Sequence, residues 1–395
     1  MSVWTDLVGQ AEAVAVLSRA ATPDSGAPSG ASTMTHAWLV TGPPGSGRST
    51  AARAFAAALQ CVEGGCGQCH DCRTAVGGTH PDVTLVATEH VHLRVDEVRP
   101  LVTLASQRPA RGRWRVIVIE DADRLNDTSG NMLLKALEEP PARTVWLLCA
   151  PGPDDVLVTI RSRCRHVGLR LPPAAEVAAL LVRRHGVDPA IAAFAARAAG
   201  SHVGLARRLA TDEGARIRRR DILRLPFQLQ GVGVAVMAAG QLVEVATEEA
   251  TAATAERDAA ERAHLLHTLG AEGLSTLPPP VRSQVRALEE NQKRRATRAQ
   301  RDVLDRSLTD LMTLYRDVLI TQLRAGIEVV NAELVPEIER LAAASPPEAT
   351  LRRIEAIGVA RERIEANVAP LLAVEALMVS LLGEPAGDGA RRRAG

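Results

Sequence analysis

The residues best placed to do chemistry are Thr41-Gly42-Pro43-Pro44-Gly45-Ser46-Gly47-Arg48-Ser49. Glycines at this spacing let consecutive backbone N–H groups turn inward around an anion, and a helix opening at the end of the run adds partial positive charge there. The apolar Trp38-Leu39-Val40 before it and the alanine-rich Thr50 to Gln60 after it supply the strand–loop–helix setting of a phosphate loop. In such loops a lysine precedes the hydroxyl residue and reaches between the β- and γ-phosphates. Here Arg48 stands in that place, and its planar fork does not substitute for a compact ammonium. Gly42, Gly45, Gly47, Arg48 and Ser49 are therefore the candidate nucleotide contacts, in a site expected to hold ATP or ADP poorly.

Carboxylates supply the second element of that chemistry. Glu120-Asp121-Ala122-Asp123 ends the apolar run Trp114–Ile119, where the C-terminal end of a central strand meets ligand. One such acid can hold magnesium and another can polarise water. The order is Glu120 then Asp121 rather than Asp then Glu, which displaces the reactive oxygens by about 1.5 Å, enough to damage positioned chemistry. The alternative is that these acids cap the helix beginning near Asn126-Asp127-Thr128.

Cys61, Cys66, Cys69 and Cys72 put four thiols within twelve residues, with Gly64, Gly65 and Gly67 allowing sharp turns between them. Four thiolates make a closed tetrahedral site, which points to structural zinc, with an iron–sulfur cluster as the alternative. His70 is expected to face solvent and Cys149 to lie in a core strand. Arg161, Arg163 and Arg165 put three guanidiniums within five residues; they read as a solvated edge or as a guanidinium offered to a phosphate.

Around these groups, Trp38–Val40, Trp114–Ile119, Val145–Cys149 and, more weakly, Val83–Val86 have strand length. Helical patterns between them predict a parallel α/β sheet over the first 165 residues. A helix from Asn131 stops at Pro140-Pro141. After Pro172-Pro173 come three short helices, Ala174–Arg184, Pro189–Ala199 and Val203–Thr211, the last carrying Arg207. The run Arg216–Arg220 reads as exposed arginine. Longer helices follow: Gly231–Ala250, Ala252–Leu269, Pro280–Asp310 running on toward Ala325, Asn331–Ala344 and Pro347–Leu382. Ala287–Arg298 is highly charged, with Glu290 and Arg294 one turn apart, and reads first as a solvated face, second as a contact for DNA or a partner. Ile354, Ile357, Val359, Ile364, Val368, Leu371, Leu372 and Leu377 form apolar stripes suited to self-association or packing in a ring.

The chain has 395 residues with 47 basic and 46 acidic groups, a net charge of +1 that excludes gripping nucleic acid over a broad face by overall charge. No run is long enough to span a bilayer, the start lacks the features of a secretion signal, and four crowded cysteines suit a metal site in a reducing cytoplasm. With four Trp, three Phe and one Tyr, the cores must come from Leu, Val, Ile and Ala.

The altered phosphate loop, the cysteine insertion, the acidic strand end and Ser162-Arg163-Cys164 together resemble the clamp-loader AAA+ subunits of bacterial DNA polymerase III, above all the delta-prime type of high-GC Gram-positive bacteria. That resemblance implies an α/β AAA+ (RecA-like) domain with a zinc-knuckle insertion (1–170), a three-helix lid (171–225), a helical collar (226–383) and a disordered tail (384–395). It implies that Arg163 is an arginine finger offered in trans, that Cys61, Cys66, Cys69 and Cys72 are zinc ligands, and that Arg207 matches a second sensor arginine. The first gap between the cysteines, four residues, is shorter than the eight usual in the family. Cys149-Ala150-Pro151 has no side-chain hydroxyl where motor subunits carry sensing threonines. The implied function is a non-hydrolysing stator, joined with gamma/tau ATPase subunits and delta in a hetero-pentamer that loads a sliding clamp onto primer–template DNA. The competing readings are an active gamma/tau-type motor, a stand-alone AAA+ repair or regulatory ATPase, and a purely structural partner.

Overall fold

The computed structural model describes residues 2–22, 34–88, 93–274 and 277–382, so the expected tail at 384–395 lies outside the described residues. The chain divides into two compact units, Met1–Asp212 and Glu213–Gly395.

The first unit is built on five parallel strands, β1 (Ala37–Thr41), β2 (Val83–Val86), β3 (Arg115–Ile119), β4 (Thr144–Ala150) and β5 (Arg165–Gly168), in the order β2-β3-β4-β1-β5. Every residue of β1, β3 and β4 is buried because helices cover both faces, which is why these strands read as continuous apolar runs. Alternate residues serve opposite cores. Trp38, Val116, Val118 and Leu147 pack with α1 (Ala11–Ala21) and α2 (Arg48–Gln60), while Leu39, Ile117, Ile119 and Trp146 pack with α4 (Val95–Ala105) and α5 (Asp127–Glu138). Small alanines along α2 let Phe55 reach Trp38 edge-to-face at 5.0 Å. Strand β5 was not expected: its polar Arg165 and His166 lie on an exposed edge strand, where no apolar run is required.

The helix expected near Asn126-Asp127-Thr128 begins at Asp127 and includes the Asn131 stretch; its cap is Asn126, whose Oδ1 accepts from the Ser129 N–H at 2.9 Å, rather than the acids at 120–123. Two short helices, α3 (His70–Val76) and α6 (Val158–Arg161), precede the bundle of α7 (Ala174–His185), α8 (Pro189–Ala198) and α9 (Val203–Thr211) within this unit. Gly186 closes α7 in the left-handed conformation at φ 62°.

The second unit comprises α10 (Glu213–Gln228), α11 (Val232–Thr268), α12 (Pro279–Leu323), α13 (Val335–Ala344), α14 (Pro347–Glu365) and α15 (Pro370–Leu381). Ala235, Ala239 and Leu242 of α11 pack with Leu304, Leu308 and Leu311 of α12, Ile357 of α14 and Met378 of α15. Three expectations change here. The stretches Gly231–Ala250 and Ala252–Leu269 form one continuous helix, within which the Thr251 hydroxyl donates to Thr247 O. Pro347–Leu382 breaks at 366–369, where Asn367 takes φ 67° ahead of Pro370. The stripe divides as well: Ile357, Ile364 and Leu377 are buried, whereas Val359, Val368, Leu371 and Leu372 are exposed.

The run 216–220 is not uniformly exposed. Arg219 is 3% exposed; its Nε donates to Asp310 Oδ1 at 2.8 Å and its Nη2 to Asn331 Oδ1 at 2.7 Å. The fully buried Asp317 in turn accepts from the Val330 and Asn331 N–H groups, so a polar network ties α10 and α12 to the turn before α13.

Candidate functional site: an altered phosphate loop, a cysteine cluster and an exposed arginine

Parallel pairing sets the C-terminal ends of β1, β3 and β4 side by side, with Val40 opposite Cys149 and Ile119 opposite Leu148. This brings Gly42, Gly45, Gly47, Arg48, Glu120, Asp121 and Cys149 to one edge of the sheet. Gly47 takes φ 92° to turn the chain into α2, so that Ser49 lies in the first turn of that helix. The Gly42 N–H donates to Pro151 O at 3.1 Å, pinning the loop to the end of β4.

Two charged groups of this edge, Arg48 and Glu120, are partnered from within the chain, whereas Ser46 Oγ, buried in the loop, has no hydrogen-bond partner among the described residues. Arg48 Nη1 donates to the loop's own Gly42 carbonyl at 2.6 Å. Arg53, one turn into α2, donates from Nε and Nη2 to Glu120 Oε1 at 3.1 and 2.8 Å. The carboxylate expected to face a magnesium ion is thus neutralised from within the chain. Burial, then the nearby Asp121 charge, pushes Asp123 above its ordinary value, and burial pushes the Cys149 thiol up to about 12. A Cβ at Gly45 (φ 86°) would lie 2.5 Å from the His202 ring, so the N-cap of α9 sits directly on the loop. Arg207, on the same helix, is exposed. Gln10, 4% exposed, braces the loop by donating to Ser46 O at 3.2 Å and to Arg170 O at 2.6 Å. At this edge, then, Arg48 is folded onto its own loop, Glu120 is paired with Arg53, and 149–151 carries no side-chain hydroxyl.

Sequence reasoning missed Arg53, His202 and Gln10. Arg53 alone left a signal: it is the one charge inside Ala51-Ala52-Arg53-Ala54-Phe55-Ala56, and a charge in a packed helix needs a partner.

The four thiols Cys61, Cys66, Cys69 and Cys72 lie within 4.8 Å of one another. Cys61 Sγ is 3.7 Å from Cys66 Sγ and 3.9 Å from Cys69 Sγ. A tetrahedral ion with metal–sulfur bonds near 2.3 Å requires edges of about 3.8 Å, so the cluster fits a metal. Gly64, Gly65 and Gly67, at φ 67°, 111° and 74°, make the turns that converge the thiols. The N–H groups of Cys66, Cys69 and Cys72 point at the sulfurs of Cys61, Cys66 and Cys69 at 3.5, 3.4 and 3.3 Å, the support a thiolate needs. Burial raises Cys61, yet the Cys66, Gly65 and Glu63 N–H groups outweigh it and hold this thiol at about 7. Burial pushes Cys72 up. His70 is exposed, beside Asp71.

The three arginines separate in role. Arg161 pairs with Asp154, and Arg165 stacks 5.0 Å over the Trp38 ring. Arg163 follows α6 with a half-exposed side chain; its Nη2 donates to Glu138 Oε1 at 2.5 Å and its Nη1 to Thr159 O at 2.8 Å.

Residues 28–173 match the family model described as DNA polymerase III, delta subunit. The chain is 39% identical to DNA polymerase III subunit delta' of Pseudomonas aeruginosa over 161 residues, covering 39% of this chain and 49% of that one. It is 33% identical to DNA polymerase III subunit gamma/tau of Mycobacterium tuberculosis over 207 residues, 50% of this chain and 34% of that one. The chain therefore spans about half or less of the length of these curated relatives. Among solved structures it is similar to a DNA polymerase III gamma subunit-related protein of Thermotoga maritima, at 15% identity and a TM-score of 0.39, covering 88% of this chain and 93% of that one.

Proposed function

From the premise that this chain carries a clamp-loader-related domain of the DNA polymerase III delta'/gamma/tau family, we propose that it is a delta-prime-type stator subunit that does not hydrolyse ATP itself. One observation carries this reading: Arg48, in the place of the phosphate-reaching lysine, is hydrogen-bonded to the Gly42 carbonyl of its own loop at 2.6 Å. The Arg53–Glu120 pair and the hydroxyl-free Cys149-Ala150-Pro151 support it from the magnesium and sensor sides.

Arg163 stands apart from these losses. Its guanidinium is half-exposed and bonded to Thr159 O and to one exposed carboxylate, Glu138, an ion pair of the exchangeable kind because such pairs are weak in water. In the proposed complex Arg163 leaves Glu138 for the γ-phosphate of ATP in an adjacent gamma/tau subunit and stabilises charge during phosphoryl transfer. Cys61, Cys66, Cys69 and Cys72 would hold zinc, which supplies a structural crosslink. The helices of 171–225 act as a lid and those of 226–383 as the collar of a cytoplasmic hetero-pentamer with gamma/tau and delta. That assembly places a sliding clamp on primer–template DNA. The delta-prime type of high-GC Gram-positive bacteria is the form proposed.

The test is ATP turnover by the purified chain, alone and mixed with gamma/tau and delta subunits. Expected are no turnover alone and an increase in the mixture that Arg163→Ala removes while assembly persists. The gamma/tau relatives support a second reading, an active motor. Robust turnover by the isolated chain, lost on changing Arg48 or Asp121, would establish that reading instead.

A further inference from the structure

At the edge of the sheet opposite the phosphate loop, the chain builds a second feature that the proposed stator role does not use. Segment 108–113, Arg-Pro-Ala-Arg-Gly-Arg, precedes β3 and is fixed by buried acceptors. The fully buried Asp82 takes the N–H groups of Ala110, Arg111 and Gly112 at 2.7, 2.8 and 2.6 Å. Gln60, 2% exposed, takes the N–H of Arg113 at 2.9 Å. Arg115, which is buried, pairs with Asp82 and donates from Nη2 to the Arg108 carbonyl at 2.9 Å. The Arg115 N–H donates to Arg143 O at 2.8 Å, which brings Arg143, just before β4, to the same edge.

The result is four arginines: Arg108, Arg111 and Arg113 on a loop whose backbone is held by buried acceptors, and Arg143 on the adjacent turn. Arg108, Arg111 and Arg143 are exposed, and among the described residues no ion pair involves any of the four. Asp82, the buried carboxylate that holds their loop from some 30 residues away, is spent on Arg115. Arg113 is anchored to the cysteine cluster through Nη1 to Cys61 O at 3.2 Å. Arg143 is held at φ 63°, where a glycine would be unstrained, so the backbone favours no arginine there for its own sake.

We propose that this arginine loop is a binding site for the phosphodiester backbone of nucleic acid. Phosphate recognition asks for guanidiniums without a sequence-reading element, and this edge presents them from a held backbone. An acidic protein partner would seek an apolar centre inside a polar rim, and 107–113 contains no large apolar side chain. Overall charge contributes nothing, since the chain carries only +1; the attraction is local. The inference stands on this edge of the sheet alone and fails or survives independently of Arg163.

The test measures binding of labelled single-stranded and duplex oligonucleotides to the full chain by anisotropy across 50 to 200 mM salt. If four phosphates are neutralised, duplex affinity falls about 10²-fold over that range. The triple variant Arg108→Ala, Arg111→Ala, Arg143→Gly retains one contact and falls only about three- to fourfold, with weaker binding at every salt concentration. Arg143→Gly alone suits the left-handed backbone, so its loss of binding is not a folding effect. A control removing equal charge elsewhere, Arg282→Ala, Arg286→Ala, Arg352→Ala, all exposed, should bind as the wild type does. The proposal is wrong if the wild type does not bind at 50 mM salt, if the loop variants keep its affinity and slope, or if the control loses as much. It is equally wrong if polyglutamate binds as tightly as the oligonucleotides and in the same loop-dependent way.

Discussion

Replacing Asp82 by Asn tests how the arginine loop and the sheet edge are held. The wild-type carboxylate is fully buried, accepts three N–H groups at 2.6–2.8 Å and pairs with Arg115 at 3.0 Å. Asparagine keeps the shape, but its one carbonyl oxygen accepts at most two of the three N–H groups, and its amide nitrogen turns a donor toward a donor. Arg115, 4% exposed, loses its counter-charge while keeping its bonds to Pro81 O and Arg108 O. Breaking a buried pair costs about 3–5 kcal/mol, and an orphaned N–H adds about 1–3 kcal/mol if it cannot reach water. Those remaining bonds and the half-exposed loop argue for the lower part of that range, about 4 kcal/mol in all. Trp4, Trp38, Trp114 and Trp146 all lie in the first unit, so tryptophan fluorescence in a urea titration reports on that unit. With a slope of about 2.5 kcal/mol per molar, the midpoint should fall by about 1.5 M. Burial raises the Asp82 pKa, but the Gly112, Ala110 and Arg111 N–H groups and Arg115 outweigh it and hold the carboxyl below its ordinary 3.8. The stabilisation is therefore complete above the unfolded-state value and is lost as pH falls through the lower folded-state value. The gap between wild type and variant should stay constant from about pH 8 to pH 5 and close in stronger acid. A midpoint shift under about 0.3 M, or a gap that widens below pH 4, would refute this account of the loop.

Glu138→Gln should raise the Arg163-dependent ATPase of the mixed complex by up to about fivefold, the worth of an exposed pair; a fall would mean Glu138 positions the finger rather than restrains it. Arg48→Lys alone should give no turnover, because Arg53 still occupies Glu120; measurable hydrolysis by that single variant contradicts that account of the pair. The purified chain should contain one zinc per molecule by elemental analysis, and a strong chelator should lower its Tm by about 5–10 °C; a metal-free protein with intact thiols and an unchanged Tm removes the structural role. Burial pushes Asp310 up to about 6 despite Arg219, so its contribution to the second unit's stability declines as pH rises from its ordinary 3.8 to about 6; a carboxyl NMR titration with its midpoint at or below 4 would overturn this.

How much was legible depended on how local the causes were. The strands β1, β3 and β4 were readable because burial on both faces forces unbroken apolar runs. The phosphate loop and the cysteine cluster were readable because their geometry is set by glycines and spacings within a dozen residues. The edge strand β5 needed no apolar signature, since one neighbour, β1, and the Arg165–Trp38 stacking suffice to place it.

By itself, then, the sequence determined the α/β class of the first unit, the helical class of the second, the metal-competent cysteines and the altered loop at Arg48. Only the tertiary structure decided what the charged groups do, because a charge takes its meaning from what it meets across the fold. Arg53 meets Glu120 across 67 residues, Arg219 meets Asp310 across 91, and Asp82 gathers the N–H groups of a loop some 30 residues away. Arg163 meets Glu138 at the surface, where water keeps the bond exchangeable. No periodicity encodes such pairings; they form when the sheet and the helix packing bring distant segments within hydrogen-bonding distance and burial makes an unpaired charge too costly to leave.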